Sequence, residues 1–266
     1  MERTILAHIA REMDGLSGHL GFYYKNLETG LEFGVRDEEA FLAASLIKLP
    51  LLLHVLTEHA RGKLDLTEKI PVTEADKLPS CGALRLFPGA MEVDILTLCR
   101  LMISLSDNTA TNLLIRRCGI RQINEGFQAM GLKQTVLRRL LFDAGAAAAG
   151  LENTVSPREM GCLLEQLYRN RFVSPQVSQL ALELLKQQQI NHKLDGKLCG
   201  KIPMAHKTGE DTNLSNDAGI LYATQPVILC FTGHDTDKYP WEDLMRRAAY
   251  ALIETQSHLN VKIGTS

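Results

Sequence analysis

The chain lacks any long hydrophobic run. None of its apolar stretches approaches the 18 or more residues of a membrane span, so no membrane partner is expected. It also lacks a dominant charge: 29 Lys and Arg against 31 Asp and Glu give a net charge of −2. That balance offers no global attraction to nucleic acid or to an anionic membrane surface. The short basic pairs Arg116-Arg117 and Arg138-Arg139 read as solvated surface. No Cys-x-x-C occurs among the six cysteines, which removes zinc-ribbon and thioredoxin-type readings. Their scattered spacing also argues against a disulfide framework. Cys99, Cys118, Cys162 and Cys230 sit in apolar contexts and are expected as buried free thiols. Cys81, beside Gly82 in a loop, is the thiol to watch for reactivity. His54 and His59 lie five apart, on different faces of a helix, and neither H-E-x-x-H nor H-x-x-E-H is matched. No metal and no cofactor is expected. The N-terminus, Met1-Glu2-Arg3-Thr4-Ile5-Leu6, has no basic region leading into an apolar one. A cytoplasmic chain is therefore expected, or a secreted or periplasmic one if an export signal has been removed.

What is present is ordinary globular material. The 266 residues, 45% hydrophobic and 23% charged, suffice for one large domain or two intimately packed ones. Residues 2–13 alternate charge and apolar side chains at helical spacing. His19 to Leu27 reads as a strand, with Leu31 to Val35 pairing back as a hairpin. The middle is read as helical: Lys48 to about Ala60, Asp94 to Leu105, Thr109 to Cys118, Ile120 to Met130, Ser156 onward, and Val177 to Gln188. Asp65 to Thr73 reads as an extended linker. Ser156, Pro157 and Glu159 predict a capped helix start with a capping box. After about residue 200 come a strand from Met204, clear strands at 217–223 and 227–232, and a closing helix from Trp241. Strands at both ends around a helical middle predict an α/β (α+β) fold, one antiparallel sheet from both termini flanked by helices, with an inserted all-helical domain. The expected division is 1–50 plus 197–266 for the sheet domain and 51–196 for the helical one, with a cleft between them as the natural site.

The chemistry is carried by three short motifs. In Ser45-Leu46-Ile47-Lys48, a hydroxyl and an amine three positions apart share one face of a helical turn, a nucleophile beside a candidate base. The same position lies near free backbone N–H groups that can face a developing anion. Ser45 is alternatively only an N-cap. Ser106-Asp107-Asn108 falls at a helix–helix junction, and Lys207-Thr208-Gly209 on a strand-like segment. Together and in this order, the three form the motif set of the class A β-lactamases and penicillin-binding proteins, which the chain resembles over roughly residues 20 to 255. Ser106 to Leu114 resembles that family's corresponding helix start, Asn153 to Pro157 the end of its Ω-loop, and Phe231-Thr232-Gly233 its last strand.

The resemblance implies a β-lactamase-like fold and a serine hydrolase that forms an acyl-enzyme. Its substrate would be a small molecule: a β-lactam, an ester or a D-amino-acid peptide. It implies that Ser45 is the acylated nucleophile and Lys48 the amine that takes its proton. Ser106 would relay a proton to the leaving nitrogen. Asn108 would bind the substrate's side-chain amide, and Lys207 and Thr208 its carboxylate. Gly209 would let the substrate backbone approach the strand edge, and the backbone N–H of Ser45 and Glu210 would form an oxyanion hole. Three departures are visible. The family's Ω-loop Glu, counted back from Asn153, falls near Leu140, and Asp143 is the sole carboxylate between Gly131 and Leu151. No Arg stands between Glu210 and Lys238 to help bind a carboxylate. Glu210 itself sets a negative charge where a small neutral residue is common. Acylation is thus expected and fast deacylation is not. The alternatives are an esterase, an amidase or a D-alanyl carboxypeptidase, or a binding protein that does not turn over.

Overall fold

The computed structural model describes residues 1–263, with side chains to Gln256. The chain opens with helix α1 (Glu2–Asp14), the strands β1 (His19–Asn26) and β2 (Glu32–Val35), and a short β3 (Phe41–Leu42). A 3-10 turn, Ala44–Ile47, runs straight into helix α2 (Lys48–Ala60). The middle holds β4 (Lys69–Val72), β5 (Met91–Asp94), α3 (Ile95–Ser104), α4 (Asn108–Cys118) and α5 (Ile120–Ala129). There follow α6 (Ala144–Ala148), β6 (Thr154–Val155), α7 (Pro157–Tyr168) and α8 (Pro175–Leu185). Strands β7 (Met204–Asp211), β8 (Leu214–Leu221) and β9 (Val227–His234) and helix α9 (Lys238–Ile263) close the chain.

Strands from both ends form one antiparallel sheet in the order β2-β1-β9-β8-β7, as the sequence pattern predicts. Alternate residues of β1 serve opposite faces. Leu20, Phe22 and Tyr24 join Leu6 and Ile9 of α1 and Trp241 and Leu244 of α9 in one core, while Tyr23 joins the other. That second core is built around α2, whose residues from Lys48 to Thr57 are all buried. The run Leu49 to Leu56 is apolar on every side, which suits a helix enclosed by others. β7 is left as an edge strand, and it lies against the 3-10 turn that leads into α2.

The stretch read as a linker contains β4, which pairs with β5 from Lys69 opposite Asp94 to Val72 opposite Met91, so the helical middle also carries a two-stranded ribbon. The expected capping box at α7 is half made. Ser156 Oγ accepts from Glu159 N at 3.5 Å, but the Glu159 carboxylate accepts instead from the backbone N–H groups of Lys133, Gln134 and Thr135 and from Thr135 Oγ1. It thereby fixes the start of the loop that leads to the candidate site. Cys99 and Cys230 are buried free thiols, Cys118 is half-buried, and Cys162 is exposed, contrary to its apolar sequence context. Among the described residues, no helix is long and apolar enough to cross a membrane.

Candidate active site

Ser45 and Lys48 are brought to one side by the 3-10 turn. With three residues per turn, positions i and i+3 eclipse. Pro50 accounts for the change of winding: its ring would meet the Leu46 carbonyl in a continuous α-helix, whereas in the first turn of α2 no N–H is missed. Ala44, just before the nucleophile candidate, is held at φ +41°, a left-handed backbone that non-glycine residues rarely adopt. No side-chain capping bond is made at the start of the turn or of α2, so Ser45 is not a cap. It is half-buried and lines a cavity of about 460 Å³ with Cys81, Asn108, Leu141, Asp143 and Glu210.

Lys48 is fully buried, and its Nζ donates to Ser106 O at 2.7 Å and Asn108 Oδ1 at 2.8 Å. It also meets Ser106 Oγ at 3.0 Å. Burial, and then the charge of Lys207, push its pKa well below the ordinary lysine range. A neutral amine has two N–H groups, which the two carbonyl oxygens absorb, so its lone pair is left for a hydroxyl. On the other side of Ser106, Lys207 Nζ donates to Ser106 Oγ at 3.1 Å and to Thr208 O at 2.8 Å. Burial lowers the pKa of Lys207 to about 7, with Asp217 opposing and Lys193 assisting. Two buried amines therefore flank one hydroxyl, which can pass a proton between them.

The second motif divides its labour. Asp107 is the cap of α4, accepting from Ala110 N at 2.9 Å, and its other oxygen accepts from Leu84 N at 2.9 Å. Ser106, at φ +53°, and Asn108 project on either side of that cap toward Lys48. Asn108 N also donates to Cys81 O at 3.3 Å, which ties the exposed Cys81 loop to the cavity wall.

The third motif lies on β7, where Lys207 and Thr208 are buried. Gly209 has a requirement that the sequence did not reveal. A Cβ there would come within 2.9 Å of Ala43 O and 3.0 Å of Leu46 N, so glycine is what lets β7 lie against the chain's own Ser45 turn. The Glu210 carboxylate is drawn to Lys238 of α9 at 2.8 Å. Its pKa is lowered despite burial, because Lys238 and Lys193 favour the charged form.

The far wall is the loop before α6. Leu141 is pinned by Asn112 of α4, which accepts from Leu141 N at 2.9 Å and donates to Leu141 O at 3.0 Å. Leu141 and Phe142 line the cavity, whereas Leu140 packs against the main core. Of the two leucines, Leu141 is the one that lines Ser45's cavity. Asp143 also lines the wall, but its carboxylate caps α6 by accepting from Ala146 N at 2.9 Å. Asn153 accepts from Arg138 N and Arg139 N, while its own carbonyl accepts from Ala43 N, joining this wall to the Ser45 turn. Sequence reasoning missed Asn112, Asn153, Lys193 and Asn216. Asn216 Nδ2 donates to Leu42 O and Ala43 O at 3.0 Å and its Oδ1 accepts from Gly233 N. The signal for Asn216 was available: Ser215-Asn216-Asp217 puts three polar residues into an otherwise apolar strand, and all three are buried.

A sequence profile described as the beta-lactamase enzyme family matches residues 4–256. A beta-lactamase of Rhodobacter capsulatus is 30% identical over 171 residues, which is 63% of this chain and 58% of that protein. The chain thus spans less than two thirds of the length of that relative. The crystal structure of a beta-lactamase from Sphaerobacter thermophilus superposes with a TM-score of 0.86 at 26% identity, covering 95% of this chain and 97% of the other. A Leu-to-Glu variant of PBP-A, solved as an acyl-enzyme complex with penicillin G, gives a TM-score of 0.84 at 26% identity, covering 97% and 96%.

Proposed function

The chain belongs to the beta-lactamase enzyme family, and on that footing we propose that it is a serine hydrolase that opens β-lactam amides through an acyl-enzyme on Ser45. The observation that carries this reading is the buried Lys48–Ser106–Lys207 array beneath the cavity that Ser45 lines. Neutral Lys48 takes the Ser45 proton as Oγ attacks the ring carbonyl. The backbone N–H groups of Ser45 and Glu210 receive the oxyanion. Ser106 passes a proton from the lysines to the departing ring nitrogen, which breaks the C–N bond and leaves the acyl-enzyme. Lys207, as an ammonium, and Thr208 bind the substrate carboxylate, and Asn108 its side-chain amide. The Leu141–Phe142 wall, with Asp143 engaged by Ala146 N and Glu152 by Arg139, favours a long-lived acyl-enzyme of the penicillin-binding type over rapid turnover. Incubation with a fluorescent penicillin, followed by nitrocefin and a short acyl ester, tests this. Covalent label with slow nitrocefin turnover is expected, ester hydrolysis without any label supports the esterase alternative, and neither label nor hydrolysis contradicts the proposal.

The two lysines set the pH dependence. Acylation needs Lys48 unprotonated, so kcat/KM falls at low pH as that depressed pKa is crossed from above. It also needs Lys207 protonated, so kcat/KM falls again as pH rises through about 7. A pre-steady-state acylation profile from pH 5 to 9 is therefore bell-shaped, and a rate that stays flat from pH 7 to 9 contradicts the role given to Lys207.

Cys81 provides a handle on the cavity. It is exposed and lines the site, whereas Cys162 and Cys199 are exposed but line no part of it. Alkylation with N-ethylmaleimide is expected to slow acylation by about tenfold or more by displacing substrate from its attack position. The Cys81→Ser variant acylates normally and resists the reagent; equal inhibition of that variant rules the effect out.

A further inference from the structure

Lys193 is a buried cation that the chemistry above does not use. It lies between α8 and β7 with no exposed side-chain surface. Its Nζ donates to Gly209 O at 2.9 Å and to Asn216 O at 3.4 Å, with Glu210 Oε2 at 3.6 Å and Glu242 Oε1 at 3.9 Å. The segment around it is laced to the sheet: Asn191 Oδ1 meets His206 Nε2 at 3.1 Å, and Leu194 N donates to Asp217 Oδ2 at 3.2 Å. His192, Glu210 and Glu242 gather their ligand atoms within 4.8 Å, a grouping able to hold a cation. The ammonium of Lys193, with Lys238 and Arg246 nearby, already supplies positive charge to both carboxylates.

The two carbonyls that Lys193 holds belong to sheet residues that touch the Ser45 turn. Gly209 packs against Ala43 O and Leu46 N, and the Asn216 side chain holds Leu42 O and Ala43 O. We propose that Lys193 is a positioning residue for acylation: by clamping Gly209 and Asn216 it fixes the separation between β7 and the Ser45 turn, and so the geometry of the two oxyanion-hole N–H groups. This rests on the acyl-Ser45 reading.

The same ammonium acts on the charge of Lys207. Lys193 faces His192 in its own segment, Glu210 on β7, Asp217 on β8, and Lys238, Glu242 and Arg246 on α9. Lys207 is influenced by Lys193, Asp217, Lys48 and Cys81. Burial lowers the pKa of Lys193, opposed by Asp217, Glu210 and Glu242. Its positive charge in turn lowers that of Lys207. Loss of that charge raises the Lys207 pKa, so the alkaline limb of acylation moves to higher pH.

The test is the acylation rate with a fluorescent penicillin from pH 5 to 9, with thermal melting as the check of folding, for Lys193→Met and Lys193→Gln. Met loses both the charge and the clamp, and is expected to slow acylation by about 10- to 100-fold at a little-changed KM. Gln keeps a donor for Gly209 O and loses the charge, so its rate at the optimum falls less. In both variants the alkaline limb rises by about one pH unit, the lower end of what a neighbouring charge produces. Folded variants with the wild-type rate and the wild-type limb overturn the proposal. If neither variant folds, Lys193 is a structural counter-ion and the positioning role is also overturned. Failure of the wild-type protein itself to be acylated contradicts the acyl-Ser45 reading instead.

Discussion

Replacing Ser45 with Ala is expected to abolish acyl-enzyme formation and to lower β-lactam turnover by about 10⁴-fold or more, the scale on which serine hydrolases lose their nucleophile. The fold is expected to be indifferent. Ser45 is half-buried, caps no helix, and stands beside a cavity rather than in the core. Its hydroxyl can therefore be removed for about 0.5 kcal/mol or less. Lys48 is the contrasting position, because its loss strands Ser106 and Asn108 acceptors in a buried setting. A Ser45→Ala protein with an unchanged melting temperature and no label separates chemistry from stability. Retained labelling in that variant assigns the nucleophile elsewhere.

Leu141→Glu is expected to accelerate release of the acyl group by about 10²- to 10³-fold, the range a positioned general base supplies. The backbone at Leu141 is already held in both directions by Asn112, and the residue lines the cavity. A carboxylate there meets the space in which water must attack the ester of Ser45. Leu140→Glu is the matched control: Leu140 packs on the core, so the charge is partly buried without reaching the cavity, at a cost of about 1–3 kcal/mol in stability and no gain in deacylation. Following the decay of the fluorescent adduct distinguishes the two. A Leu141→Glu adduct that decays at the wild-type rate contradicts the assignment of this wall.

The site was legible in the sequence where its chemistry is local. Ser45 and Lys48 share one turn, Ser106 and Asn108 flank one cap, and Lys207 and Thr208 follow one strand, so spacing alone keeps each group together. The sheet was legible because Phe22, Tyr23 and Tyr24 and the strands after residue 200 carry strong β patterns, and because strands at both ends must find partners. What escaped depended on contacts distant in sequence. Lys69-Ile70-Pro71-Val72 looks like a linker until Met91 to Asp94 is set beside it. Glu159 looked like half of a capping box, but the loop at Lys133 to Thr135 offered it three N–H groups. Counting along the chain leads near Leu140, and only the folded loop shows that Leu141, whose backbone Asn112 holds, lines the cavity while Leu140 packs on the core. Lys193 carries no local signal in the sequence, and its burial follows from the convergence of Gly209, Asn216, Glu210 and Glu242 around it.

Every role proposed for this site requires that Ser45 become an ester. Intact-mass spectrometry of the wild-type protein after exposure to penicillin G, with digestion to locate the adduct, measures this directly. The expected result is one added penicillin per chain on the peptide that contains Ser45, persisting for many turnover times of a fast hydrolase. An unmodified chain, or an adduct on any other residue, contradicts it.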